Sequence, residues 1–214
     1  MNEWKRTYLW VVPLAWSVVF AYQQASGFIS LQMAEAILNY FLAGLLAVWC
    51  LRGKNLPSFF DQVLAVLWVV YIMVLHNYCT YLPFFSDSFI HGQFQPKESL
   101  YGVNLHPFAT IQLTFDRTVW LPLMVKQIVG NVLLFIPLSY FMLRLGIVKN
   151  AWEALAASIL TTCFIESVQF LFSYIQLLDR STDVDDVLLN TFGALLGIML
   201  YYTMVFTRKG KSKT

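Results

Sequence analysis

Four carboxylates and one arginine stand within eight residues, Asp179, Arg180, Asp183, Asp185 and Asp186, and run directly into the apolar stretch VLLNTFGALLG. Such side chains can bind a divalent cation, exchange a proton, or orient a phosphate or carboxylate through the guanidinium. On a helix turning about 100° per residue, Asp183, Asp186, Asn190, Gly193 and Gly197 fall within an arc of roughly 80°. One helix face therefore carries acids and an amide at one end and small packing residues at the other. A structural reading competes with this one. Carboxylates are favoured in the first turn of a helix, and Thr182 to Asp185 has the spacing of a capping box. Yet four neighbouring acids repel one another, and a cap needs only one.

A second set of polar groups lies in the preceding apolar run. Ser158, Thr162, Glu166, Gln169, Ser173 and Gln176 recur at spacings of three and four and form one narrow helical stripe. Counted inward from an outer end near Leu178, Glu166 lies roughly 16 Å deep. A polar stripe at that depth cannot face hydrocarbon. Gln127 and Asn131 share a face of the run before it. Glu166 and Gln169 are expected to hydrogen-bond to Asn131 or Asn190, the two asparagines acting as links between helices.

The elements that must position these residues are membrane spans. The chain is 58% hydrophobic and 12% charged, with a mean hydropathy of +0.62, and it repeats apolar runs of spanning length. The expected fold is all-α, a polytopic bundle of about six transmembrane helices: Tyr8 to about Tyr22, Leu31 to Leu51, Val63 to about Leu82, Leu121 to Leu145, Ala151 to about Leu178, and Val184 to Phe206. The first run resembles a signal peptide in its basic start, with Ala25 and Ser26 imitating a cleavage site, but it is longer than a usual signal core and reads as a retained helix. Residues 1–56 form an added two-helix unit with little polar chemistry beyond Glu35 and Asn39. Residues 57–207 form a four-helix domain, and 208–214 a basic tail.

Between the third and fourth runs, residues 83–121 are rich in Phe, Tyr, Pro and Gly, too long for a connector and too aromatic for a free linker. Such a segment belongs at the headgroup level, folded over the helix ends. Its His106, like His91 and His76 nearby, reads as an interfacial residue. In the fourth run Pro137 removes one backbone donor and frees the carbonyl of Leu133, so a kink is expected.

Ten of the 14 Lys and Arg residues fall on one side of a six-span arrangement and four on the other. The positive-inside rule then places both termini in the cytoplasm and the acidic cluster outside. Cys50, Cys79 and Cys163 stand singly, without disulfide or zinc spacing.

Four motifs together resemble the VanZ-like family, named for a glycopeptide-resistance accessory protein associated with teicoplanin. They are Asn104, Leu105, Pro107 and Phe108; Asn131, Phe135, Ile136 and Pro137; Glu166 and Gln169; and Arg180, Asp183, Asp186, Asn190, Gly193 and Gly197. They extend over about residues 60–205. Ser139 departs from the Gly that the family commonly carries after the helix proline, and the first two helices lie outside the shared core. The resemblance implies an envelope protein whose resistance member lowers susceptibility to a lipoglycopeptide; it supplies no mechanism.

Three functions fit these residues. A non-catalytic protein would bind a membrane lipid, a cell-wall lipid precursor or a lipoglycopeptide at an outward pocket of Arg180, Asp183, Asp186, Asn190, Glu166, Gln169 and Asn131, roofed by the loop of Asn104, His106, Pro107 and Phe108. An intramembrane hydrolase or transferase would use the carboxylates on a lipid headgroup, with or without a divalent cation. A transporter would move protons or solute along the polar stripe. The first is favoured: Ser181 and Thr182 have no neighbouring base, no His sits in the stripe, no metal or phosphate motif is present, and no inverted repeat is detectable. Neither a resident cofactor nor a nucleic-acid partner is expected.

Overall fold

The computed structural model describes residues 8–24, 31–94, 96, 102–116, 125–178 and 180–211. Its helices are α1 (Tyr8–Gln24), α2 (Leu31–Cys50), α3 (Phe59–Cys79), the single turn α4 (Asp87–Ile90), α5 (Ala109–Asp116), α6 (Gly130–Arg144, entered through a π-helical turn Val125–Val129), α7 (Ala151–Tyr174) and α8 (Val184–Lys211). Two short strands, β1 (Val103–Asn104) and β2 (Thr182–Asp183), pair in parallel. The chain divides into two compact units, one of residues 1–97 with 174–178, the other of 98–173 with 179–214. The Ala25–Ser26 pair, Asp179 and the last three residues lie outside the described residues.

Among the described residues, five helices are long and apolar enough to cross a membrane: α2, α3, α6 from Gln127, α7 and α8. The expected sixth, α1, has 17 residues, about 25 Å of helix against a hydrocarbon core of about 30 Å, and is not among the five. The expected start of the fourth run, Leu121, lies outside the described residues; the run is described from the π-helical turn Val125–Val129, and α6 continues through Pro137.

In the first unit, α3 starts where Ser58 and Asp61 form a capping box, the Ser58 hydroxyl accepting from Asp61 N at 3.1 Å and the Asp61 carboxylate from Ser58 N at 3.3 Å. A Cβ on Gly44 would collide with the ring of Pro13, so α1 and α2 cross closely there. Trp68 Nε1 donates to the Ala47 carbonyl at 3.0 Å, joining α3 to α2. Asn39, fully buried, donates to the carbonyls of Glu35 and Leu82, while its Oδ1 accepts from Leu82 N and faces His76 Nε2, all at 2.9 Å. His76 is thus part of a helix-linking network rather than the interfacial residue expected. The Glu35 carboxylate accepts from Phe85 N at 2.8 Å. Burial, and then the charge of Glu35, push the Tyr81 phenol above its ordinary range.

In the second unit the helices are apolar outward and polar inward. On α7, Ser158, Thr162, Glu166, Gln169 and Ser173 are buried, whereas Leu160, Phe164 and Leu171 are more than half exposed. That reverses the pattern of a water-soluble helix and suits one bathed in lipid. Gln176 departs from the stripe: α7 ends at Tyr174, and Gln176 lies beyond it with φ 57° and an exposed side chain. Helix α8 packs along α6 with backbone nearly touching backbone, because a Cβ at Gly193 would overlap the carbonyl of Val132 and one at Gly197 the carbonyl of Ile136. Ser139 donates to the Ala194 carbonyl at 2.8 Å.

Replacing Gly193 or Gly197 with leucine should therefore force α8 off α6. We expect a loss of at least about 1–3 kcal/mol, the usual cost of overpacking, read as a lower unfolding midpoint in detergent; Gly102→Ala, whose Cβ position meets nothing within 4 Å but whose φ is 93°, should cost less.

Candidate functional site

Three acids at the start of α8 do different work. Asp183 stands just before the helix, and its Oδ1 accepts from Asp185 N at 2.9 Å, an N-terminal cap. The capping role thus falls on Asp183 and not on Thr182, whose hydroxyl is buried without a hydrogen-bond partner among the described residues. The same Asp183 oxygen accepts from Asn104 Nδ2 at 2.9 Å, and Asp183 N donates to Glu166 Oε2 at 3.1 Å. Residues distant in sequence meet because β1 pairs with β2, Asn104 opposite Asp183.

Asp185 was the residue the sequence reading left out of its candidate pocket. It is 1% exposed, and its carboxylate receives three backbone N–H groups at the entry to α5: Phe108 just before the helix at 2.5 Å, and Thr110 and Ile111 in its first turn at 2.9 and 3.0 Å. These are groups at the start of a helix that would otherwise lack partners. Phe108 has φ 67°, a left-handed backbone that costs on the order of 1–3 kcal/mol in a residue with a side chain. Charge-assisted bonds to one carboxylate offset it. Asn104 adds to the clasp by donating to Thr110 Oγ1 at 3.0 Å and accepting from His106 N at 3.0 Å. The sequence does place two carboxylates, 183 and 185, on either side of a helix start, but nothing in it pairs 185 with the loop.

Asp186 turns the other way, and Asn131 on α6 donates to its Oδ1. Four residues on, Asn190 donates through Nδ2 to Thr162 Oγ1 on α7 at 2.9 Å. Both asparagines therefore link helices, as expected. Glu166 bonds to neither of them; its one hydrogen bond is to the backbone of Asp183. Gln169 is buried and partnered on the same α7 face. Arg180 is exposed, its carbonyl accepting from Ser173 Oγ at 2.6 Å, while its charge attracts Glu166 and those of Asp183 and Asp186 repel it. His106, Pro107 and Phe108 are exposed.

Three acceptor oxygens are left over. Among the described residues, the second carboxylate oxygen of Asp186 and that of Glu166 accept no hydrogen bond, and Asn190 Oδ1 is fully buried without a partner. No His, Cys, Asp and Glu cluster with the arrangement of a metal site occurs among the described residues. An ionised carboxylate and an amide oxygen can only accept, so these three groups offer acceptors to an incoming donor.

A sequence model described as VanZ/LLP1 matches residues 63–206, about two thirds of the chain, from α3 through α8. The chain matches no curated protein and no solved structure.

The clasp can be checked apart from any ligand. Removing one charged hydrogen-bond partner of buried donors costs about 1.5–3 kcal/mol per bond, so Asp185→Ala should destabilise the second unit by about 3 kcal/mol or more. Hydrogen exchange should locate the loss, with the amides of Phe108, Thr110 and Ile111 exchanging first and α6 remaining protected.

Proposed function

We propose that this protein, which belongs to the VanZ/LLP1 family, binds the polar headgroup of a lipid at the leftover acceptors of Glu166, Asp186 and Asn190, without chemical turnover. In this reading the headgroup supplies hydroxyl, amide or amine donors, as the sugar and peptide parts of a cell-wall lipid precursor do, and Arg180 at the rim meets its phosphate. A lipoglycopeptide, with an acyl tail and a donor-rich peptide cup, suits the same site. The exposed Leu105 and Phe108 of the loop enter the headgroup layer beside it. The single observation that carries the proposal is the buried, unpartnered Asn190 Oδ1 beside two carboxylates: a purely structural polar core seldom leaves a buried acceptor empty.

The membrane arrangement belongs to the same proposal. Helix α1 serves as a sixth, short span, both termini lie in the cytoplasm by the excess of Lys and Arg on that side, and the Asp183 to Asp186 turn faces outward. Residues 57–207 form the family's four-helix domain, with 1–56 an extension of it and 208–214 a basic tail.

Asp186→Asn keeps an acceptor for Asn131 and removes a charge and one acceptor from the site. A hydrogen bond to a charged group is worth about 1.5–3 kcal/mol, so binding should weaken about 10- to 100-fold. In a sensitive Gram-positive host with membrane levels matched, the wild-type chain should raise tolerance to teicoplanin more than to vancomycin, and Asp186→Asn should abolish the rise. Retained protection in Asp186→Asn and in Glu166→Gln, at equal protein levels, would refute the assignment of the site. Modification of a purified lipid precursor by the wild-type chain would refute the absence of turnover.

A further inference from the structure

The first unit holds a cavity in a part of the chain that the family match does not cover. The cavity, of about 900 Å³, opens between α1, α2 and the turn after α2, within the range of about 300–1,000 Å³ that small-molecule ligands occupy. Its walls are apolar and aromatic, with Trp10 on one side and Leu42, Leu46 and Trp49 on the other. One end is basic. Leu51, Arg52 and Gly53 turn the chain back, Gly53 with φ 72° and Lys54 N donating to the Leu51 carbonyl at 3.1 Å, so that Arg52 and Lys54 both line the cavity.

From these features we infer that the cavity holds an anionic phospholipid, one acyl chain along α2 and the phosphate at Arg52 and Lys54. The dimensions agree. From Leu42 to Cys50 the helix rises about 12 Å, most of the roughly 15 Å depth of one leaflet's hydrocarbon, and the two cations follow immediately, at the level where headgroups begin. Leu42, Leu46 and Trp49 are exposed on α2, which leaves them to lipid. A basic pocket between spanning helices is the arrangement that distinguishes an anionic headgroup from a zwitterionic one. A cation after a helix end also answers the helix dipole and marks the cytoplasmic side. Neither of those roles needs a cavity or a second cation folded back onto it. A free phosphate would use the basic end but none of the apolar wall.

Native mass spectrometry of the full chain released from detergent tests this, with phosphatidylglycerol and phosphatidylcholine of identical acyl chains supplied in competition. The wild type should retain phosphatidylglycerol roughly tenfold over phosphatidylcholine, the preference expected of two basic side chains at a headgroup. Arg52→Gln with Lys54→Gln should remove the preference. Leu46→Trp, which fills the cavity and leaves the charges in place, should lower retention of both lipids severalfold, and it carries the test if the charge variant fails to insert. Equal retention of the two lipids by the wild type, or a preference that survives the loss of both cations, would overturn the inference. So would full retention by Leu46→Trp, which would assign the preference to surface charge outside the cavity, and displacement of the lipid by inorganic phosphate, which would assign it to a free anion.

Discussion

The close approach of α8 to α6 is the contact on which the second unit depends. Lipid tails are as apolar as leucine, so two spanning helices gain little from burying aliphatic side chains against each other and associate through close packing and hydrogen bonds. Gly193 and Gly197 lie against the carbonyls of Val132 and Ile136, a distance only a glycine permits. The partners advance together along both helices, Asp186 with Asn131, Gly193 with Val132 and Gly197 with Ile136, so the two helices run parallel and their amino-terminal ends share one side. That register sets Asn131 against Asp186. It also leaves Asn190, one turn before Gly193, aimed at Thr162 on α7.

With the register set, the acidic cluster resolves into separate tasks. Asp183 caps α8 and ties it to β1 through Asn104. Asp185 holds the start of α5 through three backbone N–H groups. Repulsion among neighbouring carboxylates is reduced because the first two are surrounded by donors, and each points to a different part of the loop. Asp186 and Glu166 receive one hydrogen bond apiece. A mutational loss at position 183 or 185 therefore reports on folding of the loop, whereas position 186 reports on the contact between α6 and α8 and on the site proposed beside it.

Much of this was legible in the sequence because membrane burial inverts a familiar pattern. A stripe of Ser158, Thr162, Glu166, Gln169 and Ser173 in an apolar run can face only protein, and all five are buried. Small residues at a spacing of four, Gly193 and Gly197, likewise have one use in a spanning helix. The pairings were not legible. Periodicity says which face a residue occupies and nothing about its partner, so Glu166 was assigned to the asparagines when it meets the backbone of Asp183. Capping-box spacing at Thr182 and Asp185 was misleading for a similar reason: the Asp185 side chain is taken by a segment some 75 residues earlier in the chain, through a two-residue strand pairing that no alternation of side chains announces. At Ser58 and Asp61, where the partners are local, the capping box is formed.

Two asparagines in this chain separate structural from functional polarity. Asn39 and Asn190 are both buried in spanning helices and both bridge to a neighbouring segment. Asn39 uses all its capacity, two donors into the carbonyls of Glu35 and Leu82 and one acceptor shared by Leu82 N and His76. A buried amide that serves only packing is expected to look like this, because an empty acceptor costs on the order of 1–3 kcal/mol. Asn190 spends its amino group on Thr162 and leaves its oxygen empty, beside Glu166 and Asp186, each with an oxygen to spare. Of these three oxygens only that of Asn190 is fully buried and carries that cost in full; half-buried Asp186 and Glu166 place two more acceptors next to it. An incoming donor would recover that cost as binding energy, which is why the second unit, and not the self-contained network around Asn39, is the place to look for a headgroup.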